Sequence, residues 1–331
     1  MKRNKKTILY NLLLIAVLVF IPQKGICDEK EEFTNRKNLG LKGPVAVVVE
    51  KDCSFEKAFG EIRRTGSKDV RKCFYSNGNL DKQIYSPTSF KKYIYDKYGN
   101  LINKIAIDCS DSGNNDTVSI YKYEYEYNSK GKMICKKDLG INGSSAKEYV
   151  YEYNTNGKIS EVKVYNISDT PKAQIERLVY TYTNGGKKIS TYSEKGLEQE
   201  EIISGLKETT RKNKGFYWDV TTSILNNNKH PIKMDNVLES RINGKKEKLL
   251  SVVLNYDSKG NLIKVSHFKN GASKPFIVYT TQYTYDSYGN WTKSLFYINN
   301  NLTSWTEREY IYAKNENDYK KYNQDDLSVF F

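Results

Sequence analysis

Histidine and catalytic motifs are the first things that this sequence lacks. Only His230 and His267 occur among its 331 residues, and no recognisable motif surrounds either of them. The chain has no Gly-x-Ser-x-Gly nucleophile turn, no His-Glu-x-x-His zinc motif and no glycine-rich phosphate loop. We therefore expect both histidines to lie at the surface, and we expect a protein that is not an enzyme and binds no metal or other cofactor.

Paired carboxylates are the remaining route to catalysis, because glycoside hydrolysis needs two acids that face a sugar. Glu124 and Glu126 are such a pair, but they share a strand face with Lys122. Solvated charges on a strand are the ordinary explanation of this pattern. An enzyme that acts on polysaccharide is kept only as a lesser alternative.

Long apolar runs are also missing, except near the start of the chain. Residues 1–27 combine a basic start with an apolar core over 8–21, which is short for a membrane span and typical of a signal peptide. We expect cleavage before Asp28, export to the periplasm, the cell surface or the medium, and no transmembrane helix in the mature chain. Lipid anchoring at Cys27 is disfavoured, because a lipobox has a small residue where this chain has Ile26.

Negative charge is in deficit, but the basic excess is spread along the chain. The leader carries five basic residues and no acidic one, so its removal lowers the formal net charge from +14 to +9. Lysines that solubilise the wet face of a sheet and protect its edges explain the remainder. We therefore expect no nucleic-acid partner.

Cysteine is scarce and never closely spaced. The absence of Cys-x-x-Cys excludes the usual thiol-redox and zinc-ribbon motifs. An even number of cysteines in an exported chain predicts two disulfides, and three connectivities remain open among Cys53, Cys73, Cys109 and Cys135. Free buried thiols are the alternative.

What the chain has in abundance is tyrosine, with 28 copies, in a recurring motif. The motif is Tyr-Asp-x-x-Gly-Asn-Leu at 95–101, and it returns at 256–262 and at 285–291. Two further copies, at 127–133 and 153–159, carry Asn for Asp and Lys for Asn, and worn copies lie at 74–80 and 182–189. A unit that recurs at this spacing predicts a repeat architecture with one hairpin per unit.

Each motif position has a role in a β-hairpin. Asp or Asn begins a type I turn and accepts a hydrogen bond from the backbone two residues later. Gly takes the positive-φ position that follows, and the residues on either side of the turn face each other across the strands. The upstream strands alternate tyrosine with charged residues, as expected of a sheet with one packed face. The structural turn residues are Tyr95, Asp96, Gly99, Tyr127, Gly131, Tyr153, Gly157, Tyr256, Asp257, Gly260, Tyr285, Asp286 and Gly289.

At these residues the chain resembles the Rhs or YD-repeat family, and in particular its short exported members from Bacteroidetes. The resemblance covers residues 74–312 and implies successive tyrosine-aspartate hairpins, because the hairpins of that family bear the same Tyr-Asp-x-x-Gly signature. Large members of the family wind many more repeats into a shell around a toxic C-terminal domain. This chain has too few repeats and no such domain after Tyr312, so we do not expect the shell-and-cargo mechanism here.

These patterns predict an all-β fold, an elongated or curled antiparallel meander of repeated β-hairpins. We divide the chain into a signal peptide (1–27), a lead-in segment with the first strands (28–72), a hairpin repeat domain (73–312) and a polar, loose tail (313–331). Residues 194–250 are irregular, and strands are favoured there over helix. Helical spacing of Phe55, Phe59 and Ile62 suggests one short helix, and 108–116 reads as a long exposed loop.

Contact is the chemistry that the sequence favours, and its strongest candidates are aromatic. Phe216, Tyr217 and Trp218 are adjacent in a strand, so they cannot all point inward. Trp305 is a second candidate, whereas Trp291 replaces an aliphatic turn residue and is expected in the core.

We therefore expect a non-catalytic exported protein with a structural or binding role at the bacterial envelope. Its partner would be a surface carbohydrate or another envelope protein. A carbohydrate-binding module is the first alternative and needs the aromatics of 216–218 exposed in a row. An outer-membrane β-barrel is a lesser one, suggested by the terminal Phe331.

Overall fold

The computed structural model describes residues 35–58, 60–108, 117–141, 146–168 and 170–323. The predicted signal peptide, the lipid-anchor candidate Cys27, the loop cysteine Cys109 and the terminal Phe331 lie outside these residues.

Twenty strands and one short helix make up the described chain, and the motif turns connect many of the strands. The strands are Val45–Ala58 (β1), Glu61–Phe74 (β2), Leu80–Ser86 (β3), Ser89–Tyr95 (β4), Leu101–Asp108 (β5), Thr117–Tyr127 (β6), Met133–Ile141 (β7), Lys147–Tyr153 (β8), Ile159–Asn166 (β9), Ala173–Thr183 (β10), Gly186–Ser193 (β11), Gly196–Ser204 (β12), Lys207–Asn213 (β13), Tyr217–Leu225 (β14), Pro231–Ser240 (β15), Lys246–Tyr256 (β16), Leu262–Lys269 (β17), Ile277–Tyr285 (β18), Trp291–Ile298 (β19) and Asn301–Tyr312 (β20). The helix, α1, spans Glu316–Asn323.

Every strand pairs antiparallel with the next one in sequence, and β20 pairs back onto β1. The all-β antiparallel meander is thus confirmed, and the sheet closes on itself. Strands β12 to β16 fill residues 194–250, as favoured from the sequence. The closure joins Val47 to Ile311 and Cys53 to Trp305 across the two ends of the meander.

The register of the strands sorts side chains onto two faces. One face, here called the tyrosine face, carries Tyr121, Tyr125 and Tyr127, while Glu124 and Glu126 lie on the opposite, charged face with Lys137. Strands pack mainly on the strands with which they pair. Burial is therefore local, in clusters of a few neighbouring strands, such as the one formed by Val162, Val164, Leu178 and Ile189.

The densest packing lies at β1 to β3, where both faces of the sheet are covered. Leu39 and Leu41 from the segment before β1 pack on Val48, Phe74 and Leu80. On the other face, α1 places Tyr319 against Val47 and Cys73.

Two local predictions are wrong. The helical spacing at 55–62 does not form a helix, because β1 and β2 pair as one long hairpin in which Phe55 faces Arg64. The tail is not uniformly loose, since α1 begins after Asn315, whose side chain accepts a hydrogen bond from the Asn317 N–H at 2.9 Å. Burial of Tyr319, which is 7% exposed, holds the helix to the sheet.

Candidate contact surface

The motif turns have the conformation that their residues predict. In the turn at 96–100, Asp96 Oδ1 accepts hydrogen bonds from the N–H groups of Tyr98 at 2.8 Å and Asn100 at 2.9 Å. The flanking residues face each other in register, as Tyr95 does with Leu101. The five motif glycines have φ between 72° and 87°, namely Gly99, Gly131, Gly157, Gly260 and Gly289. In the worn copy at 182–189, by contrast, the positive φ is at Gly185, in a two-residue turn.

The Asp and Asn of one motif also bind the tyrosine of the next hairpin. Tyr127 donates a hydrogen bond to Asp96 Oδ2 at 3.3 Å and accepts one from Asn100 Nδ2. Tyr285 makes the same two contacts, with Asp257 and with Asn261. The motif is therefore self-complementary along the repeat, because its carboxylate and amide bind the tyrosine with which the following copy begins.

The two Lys-containing motifs replace this hydrogen-bonded contact with a cation–π contact. Lys132 Nζ lies 5.0 Å from the ring centre of Tyr153, and Lys158 Nζ lies 4.9 Å from that of Tyr182. Lys132 also donates to the Gly157 carbonyl at 2.7 Å. All of these turns lie along one end of the sheet, here called the motif rim.

One turn of the motif rim was missed by the sequence analysis. In residues 226–230, Asn226 Oδ1 accepts from the N–H groups of Asn228 and His230, and Lys229 adopts φ 63° where other copies have Gly. The His230 ring lies 5.0 Å from that of Tyr256, the tyrosine of the next hairpin. Asn226 lies about one repeat length before Asp257, and this spacing could have indicated the turn. The turn was missed because Leu225 and Lys229 stand where the other motifs have Tyr and Gly.

The contacts between hairpins shift the pKa values of the motif aspartate and of the tyrosine that it binds. Burial alone would raise the pKa of Asp96, but hydrogen bonds from Asn100, Tyr98 and Tyr127 lower it below its ordinary value. Burial and the nearby Asp96 carboxylate raise the pKa of Tyr127 to about 12. At neutral pH the carboxylate is thus charged and the phenol protonated, which is the state that the hydrogen bond requires.

The opposite end of the sheet, here called the loop rim, carries the most exposed large hydrophobic side chains of the described residues. Ile242, between β15 and β16, is 80% exposed, and Phe216, between β13 and β14, is 73% exposed. Tyr217, the first residue of β14, is 49% exposed. Two of the three adjacent aromatics at 216–218 therefore face solvent at this rim.

The third aromatic candidate, Trp218, is half-buried between strands. The Arg211 and Arg241 guanidinium carbons lie 5.0 and 5.2 Å from its ring centre. Pairing of Trp218 with Glu239, and of Tyr217 with Ser240, sends the two aromatic side chains to opposite faces. The aromatics of 216–218 therefore do not form the row that a flat sugar-binding platform needs.

Trp305 lies in the middle of β20 on the charged face. Lys293 Nζ lies 4.0 Å from its ring centre, and its indole N–H donates to Glu307 at 3.0 Å. It is half-buried within these contacts and apart from the loop rim. Trp291 is also half-buried, with the Arg308 guanidinium 3.7 Å from its ring centre.

The predicted pair of disulfides is not formed. Cys53, Cys73 and Cys135 are free and buried, and any two bridges among the four cysteines would need one pair from these three. Cys73 faces Val47 whereas Cys53 faces Ser67, so about 20 Å of strand separates them. Burial raises the pKa of the Cys73 thiol to about 12.

His267 is not at the surface as expected, because it is 4% exposed in β17, beside β18. Its ring packs edge-on against Tyr279 at 5.4 Å, and burial lowers its pKa. No group of three or more His, Cys, Asp or Glu side chains within the described residues could hold a metal ion. Across the same residues, no helix combines the length and the apolar character needed to cross a membrane.

Comparison with known proteins finds no matching family model and no matching curated protein. A crystal structure of a porin-like protein from Bacteroides uniformis matches with a TM-score of 0.28 and 12% identity, over 82% of this chain and 98% of that one. TcdB2-TccC3 with Cdc42 matches with a TM-score of 0.30 and 12% identity over 81% of this chain. This chain spans only 16% of the length of that second structure. Both TM-scores are below 0.5, so no function is inferred from these similarities.

Proposed function

We propose that this chain is a non-catalytic exported protein with a structural or binding role at the bacterial envelope. The proposal rests on a difference between the two rims in the contacts that their side chains make. Aspartates and tyrosines of the motif rim bind one another from hairpin to hairpin, while the loop rim exposes side chains with no such role. The closed sheet is then a scaffold, and the loop rim is its contact surface.

The motif rim supports a structural rather than a catalytic role for the carboxylates. Asp257 accepts hydrogen bonds from the N–H groups of Lys259 and Asn261 and from the Tyr285 hydroxyl. Asp286 similarly binds the Asn290 N–H and the Tyr312 hydroxyl. A carboxylate with these partners holds a turn and its neighbour together and is poorly placed to exchange protons with a substrate.

The loop rim supports binding, since exposed apolar side chains grouped at one place mark interaction sites. Phe216 and Ile242 belong to adjacent loops, joined by a hydrogen bond from the Arg241 N–H to the Phe216 carbonyl at 3.0 Å. Carbohydrate binding is the weaker alternative, because Trp218 lies among arginines instead of extending the exposed aromatics into a row.

Fractionation of bacterial cells that produce the full chain tests this proposal. We expect the protein in the envelope fraction or the medium, and we expect Phe216→Ser with Ile242→Ser to reduce envelope association without changing the circular dichroism spectrum. Leu206→Ser is the matched control, because Leu206 is 39% exposed at the motif rim. A protein confined to the cytosol, or equal association of all variants, would overturn the proposal.

A further inference from the structure

Two neighbouring loops of the loop rim form a surface that is both apolar and basic. Phe216 and Ile242 project from it, and each is more than 70% exposed. The basic residues around them are also exposed. We call this set the rim tip, and it consists of Lys214, Phe216, Tyr217, Arg241, Ile242, Lys245 and Lys246.

The rim tip is held in place by hydrogen bonds between its two loops. The Arg241 N–H donates to the Phe216 carbonyl at 3.0 Å, and its guanidinium donates to the Gly215 carbonyl and to Asn213 Oδ1, both at 2.9 Å. Tyr217 and Ser240 pair directly beneath. The two apolar side chains are therefore presented together by the ends of paired strands.

Charge at the rim tip is predominantly positive. Lys214, Arg241, Lys245 and Lys246 contribute four cations, and the acidic residue nearest them in the strand pairing, Glu239, is engaged by Arg211 at 3.4 Å and by Lys246 at 3.9 Å. Among the described residues, Glu247 is the exposed acid that follows this set directly in sequence. The surface thus combines projecting apolar groups with a surplus of positive charge.

The next loop of the same rim repeats this combination. Phe276, between β17 and β18, is 37% exposed, and Lys269 Nζ lies 5.6 Å from its ring centre. Lys274 is exposed in the same loop. Successive loops at one end of the closed sheet therefore present an aromatic or aliphatic side chain beside lysine.

At the motif rim, in contrast, exposed aromatic side chains pack on neighbouring rings. Its exposed aromatics, Tyr98 and Tyr288, pack on Tyr127 and Tyr312 with ring centres 4.8 and 4.2 Å apart. They belong to the contacts that join one hairpin to the next. For Phe216 and Ile242 the described residues offer no comparable aromatic neighbour, so their apolar area stays in water unless something outside the fold covers it.

We propose that the rim tip docks on a lipid bilayer that contains anionic lipids, with Phe216 and Ile242 inserted at the boundary between headgroups and acyl chains. Projecting side chains suit a soft bilayer better than a rigid protein partner, which would need a shaped groove to receive them. Lysine and arginine around inserted apolar groups extend their charged ends to lipid phosphates. This inference rests on the proposed function, which makes the loop rim a contact surface, and it names the partner.

Vesicle co-sedimentation of the mature chain tests the inference, with phosphatidylcholine vesicles compared with vesicles that also contain phosphatidylglycerol. We expect binding to the anionic vesicles that weakens with added salt, and binding to the neutral vesicles at least about tenfold weaker. Phe216→Ser with Ile242→Ser should weaken binding to the anionic vesicles by roughly tenfold or more, since two inserted side chains are lost. Leu206→Ser should bind as the unaltered protein does, and circular dichroism should be the same for all three proteins.

Two outcomes would overturn the inference. If the double variant binds anionic vesicles as tightly as the unaltered protein, the attraction is only electrostatic and no insertion occurs. If the unaltered protein binds neither vesicle but still associates with the envelope fraction through Phe216 and Ile242, the partner is an acidic protein or glycan and not lipid. In that second case the proposed function stands although the lipid inference fails. If the unaltered protein neither binds vesicles nor associates with the envelope fraction, the lipid inference and the proposed function both fail.

Discussion

The Asn290 carboxamide forms two hydrogen bonds with the main chain of Lys42. The Lys42 N–H donates to Asn290 Oδ1 at 2.7 Å, and Asn290 Nδ2 donates to the Lys42 carbonyl at 2.8 Å. Asn290 Nδ2 also donates to the Tyr312 hydroxyl at 2.8 Å, and the residue is only 3% exposed. The last motif thus binds both Tyr312, at the end of β20, and the segment that precedes β1, which joins the two ends of the motif rim.

Replacement of Asn290 by Ala should therefore cost more stability than the same change elsewhere in the repeat. We expect Asn290→Ala to lower the free energy of unfolding by about 2–4 kcal/mol, because the main-chain N–H and carbonyl of Lys42 and the Tyr312 hydroxyl each lose a hydrogen bond to the buried Asn290 carboxamide. Asn261→Ala is the control, since Asn261 binds the Tyr285 hydroxyl and no equivalent segment. Denaturant unfolding of both variants measures the difference, and equal losses would contradict this account of the closure.

Gly131 isolates the backbone role of the motif glycine. Its φ is 73°, and a Cβ built there would meet no described atom within 4 Å. We expect Gly131→Val to destabilise the protein by about 1–3 kcal/mol through backbone strain alone. Lys130→Ala in the same turn should change stability by less than about 0.5 kcal/mol. Thermal melts of the two variants provide the measurement, and similar shifts would mean that the turn does not need glycine.

Lys229 offers the reverse experiment, because it takes the glycine position of the missed turn with φ 63°. Glycine adopts this left-handed conformation without the steric cost of a Cβ. We therefore expect Lys229→Gly to be more stable than the unaltered protein by about 0.5–1 kcal/mol, even though glycine loses more entropy on folding. Lys229 also donates to the Gly205 carbonyl at 3.0 Å, so Lys229→Ala serves as the control that removes this bond and keeps the strain. In urea unfolding, Lys229→Gly should be more stable than Lys229→Ala. The opposite order would show that the backbone at residue 229 is not strained.

His267 should make stability depend on pH in the weakly acidic range. Burial lowers its pKa in the folded protein below the ordinary value of about 6.5 that it regains on unfolding. The unfolded chain then binds a proton more readily, so stability is full above about pH 6.5 and declines as the pH falls through the interval down to the folded pKa. His267→Phe should remove this part of the slope while preserving ring packing on Tyr279. Unfolding of both proteins between about pH 7.5 and 5.5 checks the prediction, and an unchanged slope would refute it.

Cys73 should resist thiol reagents in the folded protein. It is fully buried under α1, and its pKa of about 12 leaves almost no reactive thiolate at neutral pH. Maleimide labelling followed by peptide mass spectrometry should modify Cys73 only after denaturation. Rapid labelling in buffer would show that α1 does not protect the thiol, and a disulfide-linked Cys73 peptide would restore the sequence-based prediction of a bridge.

The turns could be predicted because all of their determinants are local. Asp96, Gly99 and Asn100 lie within five residues and specify one turn, and the alternation upstream specifies a strand with two different faces. The register that follows, with Tyr95 opposite Leu101, is a consequence of the turn length.

The wrong predictions concern residues whose environment is set by distant parts of the chain. His267 has no motif around it, and its burial depends on Tyr279 in the next strand. Part of the tail that was expected to be loose, Glu316–Asn323, forms a helix because Tyr319 packs on β1 and β2, near the other end of the sequence. Cysteine number could not show that Cys53 and Cys73 lie far apart along paired strands.

The sequence by itself determined the hairpins, their turns and the separation of tyrosines from charged residues, since these depend on interactions within a few residues. Only the tertiary structure decided that the sheet closes, that Asp96 and Asn100 bind Tyr127 of the next hairpin, and that Phe216 and Ile242 project from one rim. Closure requires β20 to meet β1 across the whole chain, and no local pattern encodes where a meander ends. The candidate contact surface lies at one end of the sheet because an antiparallel meander places alternate turns at opposite ends.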